Sequence, residues 1–276
     1  MLSLRFAEAG RARPIRSGRE VNTWADDLGR PFARAFRDAE GYWFEWSDLA
    51  CFSLPHGATA VEAWPDAAVA PSVVADVFGR VVQPLLLQLS GKQSLHASAI
   101  LAGERALIFC GATGAGKSTL AFAAGRHPAC VQLADDVVVF ETEDTGAVLI
   151  HGVPFRPRLR PPTEAHFGLS DALPTREVED HPSHAWRLGA VFLLAPREDG
   201  SGDVQVEPVP PRTAFRLLLP HAHCLDPGDR AVTAAMVEAF LALADGVPVY
   251  TLSFRRDFSN LDALVRAAID TGTATA

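Results

Sequence analysis

The residues with the clearest chemical meaning form one short run in the middle of the chain. Residues 111–118 read GATGAGKS and satisfy the pattern GxxxxGK[ST], with an apolar strand predicted before them and a helix predicted after them. Glycines in such a loop let successive backbone N–H groups turn toward phosphate oxygens, and the following helix adds its positive dipole end. The run predicts a phosphate-binding loop made by Gly111, Ala112, Thr113, Gly114, Ala115, Gly116, Lys117, Ser118 and Thr119.

Two side chains of this loop indicate a nucleoside triphosphate and a divalent cation. In this pattern the lysine, here Lys117, reaches the β- and γ-phosphates, and the hydroxyl of Ser118 ligates Mg²⁺. We therefore predict ATP and Mg²⁺ as cofactors. Because a phosphate loop alone does not name a reaction, the acidic residues downstream have to discriminate.

Two adjacent carboxylates, Asp135 and Asp136, end an apolar stretch only eighteen positions after Lys117. One helix and one return strand fill that interval, so we expect the acids to come from the strand next to the one that leads into the loop. One carboxylate can hold Mg²⁺ while the other accepts the proton of an attacking hydroxyl. We assign Asp135 as the base and Asp136, with Ser118, as the metal ligand; the residues alone also fit the reverse order.

A histidine and a group of arginines are further candidates. His96 heads the strand pair that leads into the loop, where its side chain could support the γ-phosphate or an aspartate. Arg156, Arg158 and Arg160 could clamp a phosphate or an acidic peptide, with a solvated face as the alternative. We predict His96, Lys117, Asp135 and Asp136 as catalytic, and Arg156 and Arg158 as weaker phosphate or substrate contacts.

A second group of potential ligands receives the opposite interpretation. The run His221-Ala-His223-Cys224 offers three metal-binding side chains within four residues. It has no partner pair at the spacing of a zinc site, so we interpret it as ordinary loop or packing residues.

The elements that must position these residues follow from the apolar pattern. Two strands at 97–101 and 106–110, joined by a hairpin turn, lead into the loop, and a helix at 117–126 follows it. The proline-rich run 152–162 cannot lie inside a sheet. Further strands are predicted at 131–141, 147–151, 188–194, 204–206 and 247–254, and helices at 213–219, 231–244 and 261–269.

The residues before position 90 show a different pattern. Short alternating bursts between 30 and 54 predict an antiparallel meander, and apolar spacing over 72–89 predicts a helix. They carry no catalytic motif. We therefore place a boundary near residue 90, with 1–90 as a docking or scaffold unit and 91–276 as the ATP-binding catalytic domain.

Composition excludes several classes of protein. The 276 residues are 48 % hydrophobic, which argues against disorder, and the net charge of −8 comes with no basic stripe, so we expect no nucleic-acid partner. The cysteines at 51, 110, 130 and 224 show no paired spacing, as in proteins kept reduced. The apolar stretches are too short or too charged to cross a membrane, and charges interrupt the first eighteen residues. We expect a cytoplasmic protein without a membrane partner.

Taken together, the motifs resemble the carboxyl-terminal catalytic domain of HPr kinase/phosphorylase and its relatives, which include kinases encoded with lasso-peptide biosynthesis enzymes. The resemblance covers residues 90–255 and rests on His96, the run GATGAGKST, the Leu-Ala-Asp135-Asp136 element, LGAVFLLAP and the late segment VPVYTLSFRRDFSNL. It implies an α/β fold with a phosphoenolpyruvate-carboxykinase-like P-loop nucleotide domain, here joined to a smaller N-terminal α+β unit. It also implies ATP, Mg²⁺ and phosphorylation of a serine hydroxyl.

One departure from that family concerns the strand after the acidic pair. HPr kinases carry an acidic magnesium ligand and an Arg-Gly signature there, whereas this chain has Val148-Leu-Ile-His-Gly152. We therefore expect forward phosphoryl transfer from ATP to a serine of a peptide or small protein, such as a ribosomally made precursor peptide. The alternatives are a small-molecule hydroxyl kinase and a nucleotide-binding regulator without transfer activity. Whether the chain forms a homo-oligomer stays open.

Overall fold

The chain has a mixed α/β fold, given by a computed structural model that describes residues 2–8, 13, 18–26, 28–170, 173, 185–198 and 204–274. Its contacts divide it into two units. The first comprises residues 1–90 and 224–235, and the second comprises 91–223 and 236–276. This division differs from the predicted one in residues 224–235, which return to the first unit. The functional roles given to 1–90 and 91–276 stay a prediction.

The first unit is built on a six-stranded sheet. Its strands are β1 (Ser3–Phe6), β2 (Arg19–Ala25), β3 (Pro31–Arg37), β4 (Gly41–Trp46), β5 (Ala50–Pro55) and β6 (Ala60–Pro65). Strands β2 to β6 form an antiparallel meander, and β1 adds to β6 in parallel. The meander predicted over 30–54 is confirmed as β3, β4 and β5.

A helical stretch covers this sheet, as predicted over 72–89. It consists of α1 (Pro71–Val77), a π-helical turn (Phe78–Val82), α2 (Gln83–Leu86) and a 3₁₀ turn (Leu87–Ser90). Val74, Phe78 and Val82 recur at helical spacing, and they pack with Phe44 and Phe52 of the sheet in one buried cluster. Burial of this apolar face stabilises the helix against the sheet.

This helical stretch, 20 residues from Pro71 to Ser90, is long and apolar enough by length and composition to cross a membrane. The expectation that every apolar stretch is too short or too charged to cross a membrane is therefore not met by the length and composition of this helix. In the structure 61 % of the most apolar window is buried, and the core helix of a soluble protein passes the same test. The absence of a membrane partner stays a prediction.

The returning segment 224–235 is tied to the first unit by a buried carboxylate. The Asp226 side chain is fully buried, and its Oδ2 accepts a hydrogen bond from Arg19 Nη2 at 2.7 Å and lies 3.9 Å from Arg37 Nη1. Arg37 also donates to Asp229 at 2.5 Å. The backbone N–H of Leu225 donates to Gln88 Oε1 at 2.7 Å. These polar contacts hold the segment against β2, β3 and the end of the helical stretch.

We expect Asp226→Asn to destabilise the protein by about 2 kcal/mol, because a buried acceptor loses its charge while both arginines stay partly hydrated. Four of the five tryptophans lie in the first unit, so the urea midpoint followed by tryptophan fluorescence reports on it. Asp66→Asn is the matched control, since Asp66 pairs with Arg13 at 3.4 Å on the surface. A midpoint for Asp226→Asn equal to that of the control would contradict this expectation.

The second unit is built on a nine-stranded mixed sheet. Its strands are β7 (Gln93–Leu95), β8 (Ala97–Ala102), β9 (Arg105–Cys110), β10 (Cys130–Ala134), β11 (Val138–Thr142), β12 (Val148–His151), β13 (Ala185–Arg197), β14 (Gln205–Pro208) and β15 (Val249–Arg255). Its helices are α3 (Lys117–Ala124), α4 (Pro161–Phe167), α5 (Pro211–Leu218), α6 (Arg230–Gly246), which begins in the returning segment, and α7 (Leu261–Ala274). Short 3₁₀ turns cover Leu219–His221 and Phe258–Asn260.

The strands run in the order β10-β8-β9-β13-β12-β11-β7, and β15, itself paired with β14, also pairs with β13. Strand β13 is longer than the predicted 188–194 because it changes partners. Its first residues pair with β12, and the rest lies between β9 and β15, parallel to both. The hairpin β8–β9 and the helix after the loop are confirmed. In the proline-rich run 152–160 the only pairing is a single bridge at Phe155, and α4 follows.

Two predictions about the acidic strand are wrong. The single strand predicted over 131–141 is two strands, β10 and β11, because the chain bends at 135–137 and Asp136 adopts a left-handed conformation with φ of 73°. Strand β10 also pairs with β8 rather than with β9, so β8 lies between the acidic strand and the strand that leads into the loop. The intervening strand β8 belongs to the hairpin that leads into the loop. The short interval between Lys117 and Asp135 does not reveal it.

The strand directions bring the predicted site residues to one edge of the sheet. Strands β9 and β10 are both antiparallel to β8 and therefore run in the same direction. The residues that follow them, Gly111 and Asp135, lie at the same edge as His96, which precedes β8. One face of the sheet is covered by α3 and α7, whose Leu120 and Leu264 belong to one buried cluster. This packing fixes the start of α3 beside the carboxyl ends of the strands.

Candidate active site

The loop between β9 and α3 needs glycine at specific positions. Gly111 has φ of 150°, and a Cβ there would lie 3.1 Å from the carbonyl oxygen of Leu194. Gly114 has φ of 81°, a left-handed conformation that other residues adopt at a cost. Gly116 caps α3 in a left-handed conformation. Residues 111–119, predicted to bind phosphate, therefore form one tight turn that ends at a helix N-terminus.

Lys117 is buried within this turn. Its Nζ donates hydrogen bonds to the carbonyl oxygens of Gly111 at 2.9 Å and Ala112 at 3.3 Å. Burial lowers the pKa of Lys117 below its usual range, and the carboxylates of Asp135 and Asp136 act in the opposite direction. The ammonium group is thus held inside the loop with carbonyl partners, where an anionic ligand would stabilise its charge.

Asp135 is a buried carboxylate surrounded by donors. Its Oδ1 accepts from Ser98 Oγ at 2.7 Å, and its Oδ2 accepts from the backbone N–H of Arg158 at 2.9 Å. The Ser118 side chain in the phosphate loop lies close enough to favour the charged form of Asp135. Burial raises the pKa of Asp135 above its usual range, although these three polar neighbours oppose the rise. The structure thus joins Asp135 to Ser118, the residue predicted to ligate Mg²⁺.

Asp136 has a different neighbour. His96 Nδ1 lies 3.1 Å from Asp136 Oδ1 and 3.0 Å from the Asp136 carbonyl oxygen. Both oxygens are acceptors, so the proton of a neutral His96 belongs on Nδ1. The Asp136 carboxylate is 41 % exposed, whereas Asp135 is buried. The two acids therefore have separate partners: Ser118 and Ser98 for one, and His96 for the other.

The histidines at 221 and 223, interpreted from the sequence as loop or packing residues, lie beside this pair. The backbone N–H of His96 donates to the His221 carbonyl at 2.7 Å, and that of His223 donates to the Ser94 carbonyl at 3.0 Å. The rings of His96 and His223 are 6.3 Å apart. Among the described residues, no group of three or more His, Cys, Asp or Glu side chains is placed to hold a metal ion. Residues 221–223 instead lie beside His96, held there by these backbone hydrogen bonds.

The pKa of His223 leads to a stability prediction. Burial lowers it to about 4, against 6.5 for an ordinary histidine. Between these values the unfolded chain binds a proton that the folded protein does not, so the free energy of unfolding falls as pH falls from about 6.5 to about 4. Below that window the loss reaches up to about 3 kcal/mol.

We expect His223→Gln to unfold with a smaller difference between pH 7 and pH 4.5 than the parent protein, in urea titrations followed by circular dichroism. His127→Gln is the control, because His127 is an exposed histidine after α3. An unchanged pH dependence in His223→Gln would show that His223 is protonated in the folded protein.

The three arginines of the proline-rich run diverge. Arg156, predicted to contact phosphate, donates from Nε to the Leu173 carbonyl at 2.8 Å. Arg158 uses its backbone N–H on Asp135, and its side chain is exposed. The guanidinium of Arg160 lies against the phosphate loop at Gly114. The sequence pattern predicts Arg156 and Arg158, and not Arg160, as the weaker phosphate or substrate contacts; only the path of the loop decides which of the three faces the glycine.

Comparison with known proteins finds a match among solved structures but none in sequence. No protein-family model matches the chain, and no curated protein matches it in sequence. Among solved structures, the Hpr(Ser) kinase/phosphatase from Coxiella burnetii is similar, with 14 % sequence identity and a TM-score of 0.36. The match covers 66 % of this chain and 91 % of that one. Function is therefore inferred from the site residues and their contacts.

Proposed function

We propose that the protein is a kinase that transfers the γ-phosphoryl group of ATP, with Mg²⁺, to a serine hydroxyl. The observation that carries this proposal is that two adjacent carboxylates, which follow β10 at the same sheet edge as the phosphate loop, have different neighbours. Asp135 lies beside Ser118 of the loop, while Asp136 lies 3.1 Å from His96. These different neighbours support a role in metal binding for one acid and in proton acceptance for the other, the division that phosphoryl transfer requires.

The phosphate loop would hold ATP through its backbone and Lys117. The backbone N–H groups of the turn and the start of α3 favour negative charge. When ATP binds, Lys117 would exchange its carbonyl partners for phosphate oxygens. Their negative charge would stabilise the ammonium form, which burial disfavours. Its charge is also placed to stabilise the negative charge that develops on the transferred group.

The chemistry of Asp135 and Ser118 fits Mg²⁺. Mg²⁺ prefers hard oxygen ligands and binds through one or two carboxylates together with substrate phosphates. Asp135 is a buried carboxylate, and burial raises its pKa, so a bound cation would stabilise its charged form. The bound ion would offset the charge of the β- and γ-phosphates. We therefore propose Asp135 and Ser118 as the metal ligands, the reverse of the order within the acidic pair assigned from sequence alone.

Asp136 would then act as the base. Its carboxylate is accessible, and the N–H of His96 Nδ1 fixes one of its oxygens. The other oxygen accepts the proton as the serine Oγ attacks the γ-phosphorus. The new O–P bond forms while the bond between the γ-phosphorus and the bridging oxygen breaks, and ADP carries away that electron pair. His96 orients the carboxylate.

The sequence resemblance extends this proposal to the acceptor and to the cellular location. That resemblance supports a serine in a peptide or small protein, such as a ribosomal precursor peptide, in the cytoplasm. It also supports a phosphoenolpyruvate-carboxykinase-like arrangement of the nucleotide domain. No nucleic-acid or membrane partner is proposed, and residues 1–90 are proposed to dock the acceptor or to serve as a scaffold.

Release of ADP from ATP and Mg²⁺ tests the proposal, measured with and without a defined library of serine-containing peptides. A kinase releases ADP in proportion to phosphopeptide, which mass spectrometry localises to serine. Binding of ATP without peptide-dependent ADP release would contradict transfer to peptides. Release that depends on a small hydroxyl compound instead would overturn the peptide acceptor and keep the kinase assignment. A precursor peptide encoded beside this gene is the first peptide to include.

A further inference from the structure

The segment that carries Arg160 is fastened to the site at two points. On one side, the backbone N–H of Arg158 donates to Asp135 Oδ2 at 2.9 Å. On the other side, the Thr163 hydroxyl lies 3.1 Å from the hydroxyl of Thr119 on α3. Helix α4 begins directly after Arg160, whose carbonyl accepts from the N–H groups of Thr163 and Glu164. The position of Arg160 relative to the loop is therefore set by contacts on both sides of it.

The Arg160 guanidinium covers the loop at a glycine. A Cβ built on Gly114 would lie 3.0 Å from Nη1, 3.1 Å from Nη2 and 3.3 Å from Cζ of Arg160. All three distances are similar, so the planar group lies over Gly114 with both terminal nitrogens equally close. A side chain at position 114 would push the arginine away. Glycine at position 114 therefore permits both the close approach of Arg160 and the left-handed conformation of the loop.

The charge of Arg160 has no acidic partner in the part of the chain that the structure describes. The carboxylate of Asp135 is contacted by the backbone N–H of Arg158 and by serine side chains, and not by this guanidinium. Arg160 at Gly114 and Lys117, whose Nζ donates to the carbonyl oxygens of Gly111 and Ala112, are two cationic side chains at the same loop. Two cations at one phosphate loop repel each other unless an anion lies between them.

We propose that Arg160 binds the terminal phosphate of the nucleotide; this inference rests on the proposed kinase function. The loop backbone cradles the inner phosphates. The Arg160 guanidinium lies over the loop at Gly114, on a segment whose Arg158 backbone contacts Asp135, and we assign it to the outer phosphate. Its paired nitrogens match two oxygens of a phosphate, a geometry that a lysine ammonium does not reproduce. Arg160 would act as a clamp that distinguishes ATP from ADP.

The test compares the binding of AMP-PNP, a non-hydrolysable ATP analogue, with that of ADP by calorimetry in the presence of Mg²⁺. We expect Arg160→Ala to weaken AMP-PNP binding by about 10- to 100-fold and to leave ADP binding within about threefold. Arg160→Lys should restore little of the loss. Arg266→Ala is the matched control, because Arg266 is an exposed arginine of α7, outside the phosphate loop and the proline-rich run; it should bind both nucleotides as the parent does.

The outcomes separate this inference from the proposed function. Equal losses for AMP-PNP and ADP would place Arg160 on an inner phosphate and overturn the assignment to the terminal one. Unchanged binding in Arg160→Ala, with peptide phosphorylation retained, would overturn the inference and leave the kinase intact. Failure of the parent protein to bind either nucleotide would overturn both. Thermal unfolding without nucleotide checks that Arg160→Ala folds, and Arg160→Lys, which keeps the charge and most of the side chain, supplies the comparison if alanine destabilises the loop.

Discussion

Replacement of Lys117 by alanine is expected to lower kcat/KM for phosphoryl transfer by about 10³-fold, because the transferred group loses the cation that offsets its developing charge. The fold should survive. The ammonium group bonds only to loop carbonyls, and the substitution removes a buried charge whose lowered pKa marks its environment as unfavourable. Initial rates at several ATP concentrations, together with a urea titration, measure both effects.

The matched control is Lys92→Ala, since the chain has only these two lysines. The Lys92 ammonium forms an ion pair with Glu141 of β11 and contacts no loop carbonyl. We expect kcat/KM of this variant to remain within about twofold of the parent. Turnover of Lys117→Ala close to that of Lys92→Ala would mean that residues 111–119 do not bind the reacting phosphate.

The two acids should fail in different ways. Asp135→Asn is expected to raise the Mg²⁺ concentration needed for half-maximal rate by about tenfold or more, because the ligand that faces Ser118 loses its charge. Asp136→Asn is expected to lower kcat by about 10²- to 10⁴-fold at saturating Mg²⁺, because no carboxylate remains to accept the proton. A titration of Mg²⁺ against rate for each variant measures both quantities.

Asparagine is the right replacement at position 136 because of its backbone. Asp136 has φ of 73°, a conformation that Asp and Asn tolerate and that most other residues adopt with strain. An alanine at position 136 would remove the base and also strain the turn, so a loss of rate could not be assigned to either cause. Equal and mild effects of both asparagine variants would make the acidic pair structural, and a reversed pattern would restore Asp136 as the metal ligand.

Local signals predicted the centre of the fold well. The hairpin, the loop and α3 each depend on residues close in sequence: a turn between two apolar runs, the glycines at 111, 114 and 116, and the apolar face of a short helix. The strand predicted over 131–141 failed for a physical reason. Its composition is apolar apart from Gln132 and the acids. The bend at 135–137 is stabilised by contacts with residues 96, 98 and 158, which no local pattern contains.

The site shows the same division between local and distant information. His96 and the acidic pair were identified from their position at strand ends, and the structure brings them together. His221 and His223 were missed because their approach to residues 94–96 depends on backbone pairing across more than a hundred positions. Arg160 was named with its neighbours, but its selection required the two contacts that fix residues 158–163. A bridge between residues 95 and 222 has no counterpart in hydrophobic periodicity.

The environment of Lys117 also has a consequence for covalent chemistry. The lowered pKa leaves more of this amine in its neutral, nucleophilic form, while its burial restricts access to reagents that enter as phosphate analogues do. The other lysine, Lys92, is engaged with Glu141. An acylating reagent that carries a phosphate group therefore meets one receptive side-chain amine in the chain. Proteolysis at the arginines on either side, Arg105 and Arg126, would isolate that amine on a single peptide. The extent of acylation of this peptide would then measure the fraction of the loop occupied by ligand in cell extracts.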